Sequence, residues 1–121
     1  MNEQIGSFIG TLFQSRTQVH IMHLQTNSYA QHVALQGYYE GIIDIIDGIV
    51  ESYQGRYGIV YGYKIESNVE ESTNPITYFE ALSKYVEMKR QTITQDSYIQ
   101  NQVDEVVALI NSALYKLKFL K

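Results

Sequence analysis

Apolar residues recur at intervals of three and four in four stretches of the chain, which is the spacing of an amphipathic helix. A short polar break separates the first two stretches, with Ser28 or Asn27 as the N-cap of the second, and Gly55 is expected to end that helix. Asn74 followed by Pro75 predicts the start of the third. The predicted helices span about 3–26, 29–54 and 75–93, and a fourth follows Asp96 through at least residue 117.

The connection between the second and third helices, from about residue 55 to residue 73, has no helical period. About 19 extended residues reach roughly 60 Å, whereas the second helix is only about 40 Å long. The segment can therefore travel the whole bundle and start the third helix parallel to the second, although a disordered loop would also fit its length. The pattern predicts an all-α, ferritin-like four-helix bundle with a long crossover, as one domain spanning residues 1–121. Glu66, Glu70 and Glu71 are expected to form a solvated turn.

Composition narrows the chemistry that the chain can perform. It has no cysteine, so a metal would have to be held by imidazole and carboxylate groups. The net charge of −4 and nine scattered basic residues argue against nucleic-acid binding. No secretion signal and no run of eighteen apolar residues occurs, which predicts a soluble, cytoplasmic protein without a membrane partner.

Polar residues with metal-ligating chemistry lie at helical spacing in the first two helices. On the first helix, Arg16, His20 and His23 lie on or beside the face expected to be buried. Three glycines of the second helix, Gly37, Gly41 and Gly48, predict a close approach by the first helix or by a second subunit. The polar residues that share an arc of roughly 120° on the second helix are His32, Gln36, Glu40, Asp44, Asp47 and Glu51.

These residues resemble the signature of the mini-ferritins that protect starved bacterial DNA, the Dps family. That family commonly carries H-x-x-H-W-N-V at the end of its first helix, and the matching text here is His20-Ile-Met-His23-Leu-Gln-Thr26. The family then has a histidine near the start of the second helix, an aspartate four residues on, another aspartate fifteen after the histidine and a glutamate four further. The matching positions are His32, Gln36, Asp47 and Glu51. Gln36 thus replaces the first carboxylate, and Leu24 and Ser52 stand where the family has tryptophan and arginine.

The resemblance implies a homo-oligomer with at least a two-fold dimer, in which iron or another divalent metal binds between two subunits. His23, His32, Asp47 and Glu51 would be the ligands, and Glu51 is the best candidate for a bridging ligand. His20, Gln36, Glu40 and Asp44 would be weak ligands or would orient the ligands and line the access path. The implied reaction is ferroxidase-type, the oxidation of Fe(II) by peroxide or dioxygen.

A second hypothesis explains the same residues without a metal. The acidic residues would form the water-facing stripe of the second helix, and the histidines would be hydrogen-bonded interior residues. The chain would then be a helical oligomerisation or adaptor protein that keeps the ferritin-like fold without its chemistry.

Overall fold

The computed structural model describes residues 3–65 and 74–121, and this part of the chain is helical apart from short connections and ends. The all-α class and the four-helix bundle are confirmed, whereas Glu66, Glu70 and Glu71 lie outside the described residues. The helices are α1 (Glu3–Gln25), α2 (Tyr29–Tyr57), α3 (Pro75–Ile93) and α4 (Ser97–Phe119).

The two predicted helix starts are confirmed by their capping hydrogen bonds. Ser28 accepts a hydrogen bond from the backbone of Gln31 at the start of α2, and Asn74 accepts two at the start of α3, where Pro75 occupies the first turn. The predicted end of α2 at Gly55 is wrong. The helix continues to Tyr57 and ends at Gly58, whose φ of 103° is a conformation that only glycine adopts without strain.

Each helix packs against two neighbours around one core. α1 and α4 each contact both α2 and α3, so α1 and α4 lie on one diagonal of the bundle. In the described part of the chain, no helix is both long enough and apolar enough to cross a membrane. The largest fully buried side chains are Tyr38, Phe8, Phe79, Ile5, Ile9, Leu12, Leu35, Ile42, Ile46, Ile49, Leu82 and Ile99.

Contacts at the two ends of the bundle give the helix directions. Pro75, the first residue of α3, lines the same surface cavity as Met22 and Gln31, beside the turn between α1 and α2. At the other end, the hydroxyl of Tyr57 in the last turn of α2 contacts Thr94, which follows α3. α2 and α3 therefore run in the same direction, and α1 and α4 run opposite to them.

Residues 60–64 lie along the outside of α1 in unusually close contact. The carbonyl oxygens of Gly62 and Lys64 approach Gly6 and Gly10 so closely that a Cβ atom on either α1 glycine would lie 2.0 Å from an oxygen. The amide of Lys64 also donates to the carbonyl of Gly6 at 3.3 Å. The two α1 glycines thus let this segment rest directly on the helix backbone.

The glycines of α2 do not make a close approach to α1, which was one of the two expectations for them. Within one chain their neighbours are side chains of α4, at ordinary contact distances from an added Cβ atom: 3.4 Å for Gly41 and Gly48, and 3.7 Å for Gly37. Long side chains of α4, such as Leu109 and Gln102, lie beside these glycines instead of α1, and the approach of a second subunit stays a prediction.

Candidate metal centre

The tight turn between α1 and α2 brings His23 and His32 face to face. Only three residues separate the two helices, and the Ser28 cap fixes where α2 begins. His23 lies in the last turn of α1 and His32 in the first turn of α2, so antiparallel packing places them opposite each other. Local capping chemistry thus positions the two candidate ligands.

Each of these histidines bonds to the backbone of the other. Nδ1 of His23 lies 2.6 Å from the carbonyl oxygen of His32, and Nδ1 of His32 lies 2.9 Å from the carbonyl oxygen of His23. The rings stack with their centroids 3.5 Å apart and their planes at 21°. Because a carbonyl oxygen only accepts, both Nδ1 atoms carry hydrogen, and in this tautomer of imidazole the lone pair of a metal ligand is on Nε2.

Other aromatic rings pack around this pair. His20 stacks on Tyr39 with centroids 4.1 Å apart, and the same tyrosine meets the edge of His23 at 5.1 Å. Tyr29 stacks loosely on His32 at 6.3 Å. His23 is 6% exposed, whereas His20 and His32 are half-buried. The structure therefore gathers the three histidines into one aromatic cluster, defined by His20, His23, His32 and Tyr39.

The carboxylates predicted as ligands lie far from this cluster within one chain. Asp47 is fifteen residues beyond His32 on α2, which corresponds to about 22 Å along the helix. Asp47 and Glu51 are both exposed, and no set of three or more histidine, aspartate or glutamate side chains gathers into a metal site anywhere in residues 3–65 and 74–121. One chain thus brings together His23 and His32 but not Asp47 and Glu51.

The remaining predicted residues form an exposed strip on α2. Gln36 donates a hydrogen bond of 2.5 Å to Glu40, one turn further along, and both side chains are exposed, as is Asp44. The strip is open to solvent and to an approaching molecule. Gln36 and Glu40 already act as one hydrogen-bonded unit.

Sequence reasoning missed a polar cluster at the opposite end of the bundle. Tyr57 and Tyr98 both donate to the carboxylate of Asp96, which would otherwise be free to cap α4. The hydrogen bond from Tyr57 holds the pKa of Asp96 below its ordinary value. Local sequence carries no signal for a pair 39 residues apart, and Asp96 had been assigned only as a residue before the helix.

A buried hydrogen bond inside the core was missed as well. The hydroxyl of Ser15 donates to the carbonyl of Leu12 at 2.7 Å, so it accepts from the hydroxyl of Tyr38, also at 2.7 Å. Burial raises the pKa of Tyr38 well above its ordinary value, which keeps the phenol protonated as a donor. This pair joins α1 to α2 inside the core.

Comparison with known proteins places the chain in a family. A model described as a family of unknown function, DUF5856, matches residues 23–117. The chain belongs to this family. The DUF5856 protein is also similar to an uncharacterized 14.6 kDa protein from the mobD-ri intergenic region of Enterobacteria phage T4, at 26% identity over 115 residues, covering 91% of this chain and 84% of the phage protein. No solved structure matches it. Neither similarity is to a ferritin, so the resemblance to mini-ferritins stays a prediction.

Proposed function

We propose that this DUF5856 protein is a ferritin-like homodimer that binds and oxidises Fe(II) at a site shared by two subunits. His23 and His32 of one chain and Asp47 and Glu51 of the other would be the ligands. The observation that carries the proposal is the pair of reciprocal Nδ1 hydrogen bonds, which leaves a lone pair on both Nε2 atoms. A metal-binding histidine almost always donates its other ring N–H in this way.

The helix directions support the ferritin-like part of the proposal. In ferritin-like bundles one long crossover connects the second and third helices, which then run parallel. α2 and α3 run parallel here, with residues 58–74 between them. The resemblance of the first two helices to mini-ferritins implies the same ferritin-like arrangement.

The donor set fits iron only when two chains are combined. A single chain offers two imidazoles near the start of α2 and two carboxylates about 22 Å and 28 Å further along it. Combined, they give the mixture of nitrogen and oxygen ligands that suits Fe(II). Two Fe(II) ions, as substrate, would each give one electron to a peroxide, which takes up two protons and leaves as two waters. Gln36 and Glu40 would orient the ligands, and Glu40 and Asp44 would attract the cation.

A complementation experiment tests this arrangement. The His32→Ala and Glu51→Ala variants should each lose Fe(II) binding by calorimetry under argon, and after peroxide is added their ferric absorbance should rise no faster than that of free Fe(II) in buffer. If the two are unfolded and refolded together, half of the dimers are mixed. Each mixed dimer then has one site with both histidines and both acids, so about a quarter of the wild-type sites should return.

The control is Glu105→Ala, which removes an exposed carboxylate from α4, away from the proposed ligands, and should bind Fe(II) as the wild type does. A wild-type protein that takes up no Fe(II) would overturn the proposal. Binding that is lost in both variants but does not return on mixing would show that the histidines of one chain and the acids of another do not complete one site, which also contradicts it.

The metal-free alternative is favoured by one specific observation. Stacking and two hydrogen bonds already satisfy His23 and His32 as structural residues. The chain would then be an oligomerisation or adaptor protein. On this alternative, His32→Ala lowers the free energy of unfolding equally with and without Fe(II), because no metal stabilises the native state.

A further inference from the structure

The segment from Ile59 to Ile65, which we call the outer segment, exposes an unusual row of apolar side chains. Ile59, Tyr61, Tyr63 and Ile65 are 53%, 78%, 42% and 64% exposed, whereas Val60 is buried. Large apolar residues at every second position are typical of a strand with one buried face. Here the apolar row faces away from the core of the bundle.

Contacts with α1 show that the outer segment is extended. Its carbonyl groups at Gly62 and Lys64 lie against Gly6 and Gly10, which are one turn, about 6 Å, apart on the helix. Two residues therefore advance about 6 Å, close to the rise of a β-strand. The chain is extended over this stretch, although it pairs with no strand in the part of the chain that the structure describes.

One edge of the outer segment has backbone groups without a partner among residues 3–65 and 74–121. Gly62 and Lys64 direct their carbonyl groups at α1, and the amide of Lys64 bonds to it. In an extended chain the backbone groups of successive residues point to opposite edges, so those of Tyr61 and Tyr63 point away from α1. Among the described residues they have no hydrogen-bond partner. Such an edge is a template for another strand.

The sequence of the outer segment is nearly the same in both directions. Ile59-Val60-Tyr61-Gly62-Tyr63-Lys64-Ile65 is a palindrome around Gly62, broken only at Val60 and Lys64. If two copies run antiparallel with their glycines opposite each other, each Tyr61 faces a Tyr63 and each Ile59 faces an Ile65. The same register aligns the unpaired backbone groups of the tyrosines, which then exchange both hydrogen bonds. Side chains and backbone thus select one register.

We propose that the outer segment is a self-association surface that pairs with the same segment of a second copy of this chain, as a two-stranded antiparallel ladder with its two-fold axis at Gly62. Because glycine has no side chain, the two strands can approach each other closely at the axis. In the ladder the apolar row contacts the row of the second copy only along its flanks, through the cross-strand pairs Tyr61–Tyr63 and Ile59–Ile65. The interface is therefore small, and we expect a weak, concentration-dependent dimer.

This ladder does not depend on the iron proposal and describes a different pairing. Because His23 lies opposite His32, Asp47 lies at the level of Phe8 on α1, beside Gly62. A two-fold axis at Gly62 places Asp47 of the second copy at the same level as Asp47 of the first. It then lies about 22 Å along the bundle from His23 of the first copy. The shared iron site needs an axis halfway between, about 11 Å from Gly62. One pair of chains therefore satisfies one arrangement or the other.

Disulfide cross-linking tests the ladder, since the natural chain has no cysteine. Gly62→Cys is compatible with the fold because an added Cβ atom meets nothing within 4 Å. At the axis the two Cα atoms would be about 4.5 Å apart, within the range of a disulfide. Diamide should therefore link two copies, taking up the two hydrogens of the thiols. Gly55→Cys is the matched control, a second exposed glycine with open space around its Cβ.

Gly62→Cys should form dimer at least about tenfold faster than Gly55→Cys, because pairing raises the local thiol concentration to the millimolar range. Equal rates would overturn the proposal. The register has its own check: an equimolar mixture of Tyr61→Cys and Tyr63→Cys should yield mostly the mixed disulfide. A random mixture of the three possible dimers would contradict the palindromic register.

Sedimentation tests the same surface without cysteine. The wild type should show reversible dimer at about 100 µM chain, and Tyr61→Lys should raise its dissociation constant at least about tenfold by placing a charge in the apolar row. Met88→Lys is the control, since Met88 is similarly exposed, at 69%, but lies on α3, outside both proposed pairings. A monomeric wild type at this concentration, or equal effects of the two variants, would overturn the ladder.

Discussion

Gly10→Ala should destabilise the protein although it places a better helix former inside α1. Alanine in a helix interior is favoured over glycine by about 1 kcal/mol. At this position, however, the added methyl group would lie 2.0 Å from the carbonyl oxygen of Lys64 and 2.6 Å from its carbon. Both atoms are backbone, so no flexible side chain can move aside. The outer segment has to retreat from α1 by about 1 Å.

The cost of that retreat follows from the contacts that hold the segment. The hydrogen bond from the amide of Lys64 to Gly6 contributes about 1 kcal/mol. Val60, 5% exposed, contributes up to about 2 kcal/mol by burial. Set against the gain of about 1 kcal/mol in helix propensity, the net loss in the free energy of unfolding is about 1–2 kcal/mol.

Urea unfolding followed by far-ultraviolet circular dichroism measures this loss. The matched control is Gly55→Ala, where the added Cβ atom meets nothing within 4 Å and the helix also continues on both sides. We expect Gly55→Ala to raise the free energy of unfolding by about 0.5–1 kcal/mol, the opposite sign. If Gly10→Ala stabilises the protein as much as Gly55→Ala does, the segment does not rest on α1 as described.

Two further substitutions test the missed hydrogen bonds. Tyr38→Phe should lower the free energy of unfolding in urea by about 1 kcal/mol, because Ser15 loses a donor but still bonds to Leu12; no change would mean that this bond contributes nothing. Asp96→Asn should change the pH dependence of stability. The pKa of Asp96 is lowered in the folded protein, so the ionised carboxylate stabilises the fold above pH 3.8, its ordinary pKa. That stabilisation is lost as the pH falls through the folded-state pKa. The difference in thermal midpoint between wild type and Asp96→Asn should therefore shrink below about pH 4, and a constant difference down to pH 2 would contradict the role of Tyr57.

The sequence predicted those parts of the fold that local chemistry determines. Helix periodicity and the caps at Ser28 and Asn74 gave the four helices, because a cap satisfies amide groups within its own turn. Gly55 does not end α2. A glycine at an exposed helix position lowers helix stability by only about 1 kcal/mol, and the rest of the 29-residue helix offsets this. The end of that helix instead depends on a positive φ at Gly58.

For the candidate site, too, only the part that local sequence determines could be predicted. His23 and His32 flank a three-residue turn, so their proximity follows from sequence spacing once the helices are antiparallel. Their reciprocal bonds to each other's backbone depend on side-chain rotation and had no sequence signal. The closeness of Gly6 and Gly10 to residues 62–64 joins positions more than fifty residues apart. The only sign of this contact in the sequence is the spacing of four residues between Gly6 and Gly10.

The two proposed pairings need two-fold axes at different levels of the bundle, about 11 Å apart, which makes each experiment a test of the other. A Gly62→Cys dimer locked by its disulfide fixes the axis beside Gly62, where His23 of one copy and Asp47 of the other are held about 22 Å apart along the bundle. If two chains form the iron site, the locked dimer should oxidise Fe(II) no faster than buffer alone, and adding a reductant and then removing it should restore the faster rate. If the locked dimer oxidises Fe(II) as the reduced chain does, the four ligands do not meet across a two-fold axis, and the reciprocal histidine pair is a structural link between α1 and α2.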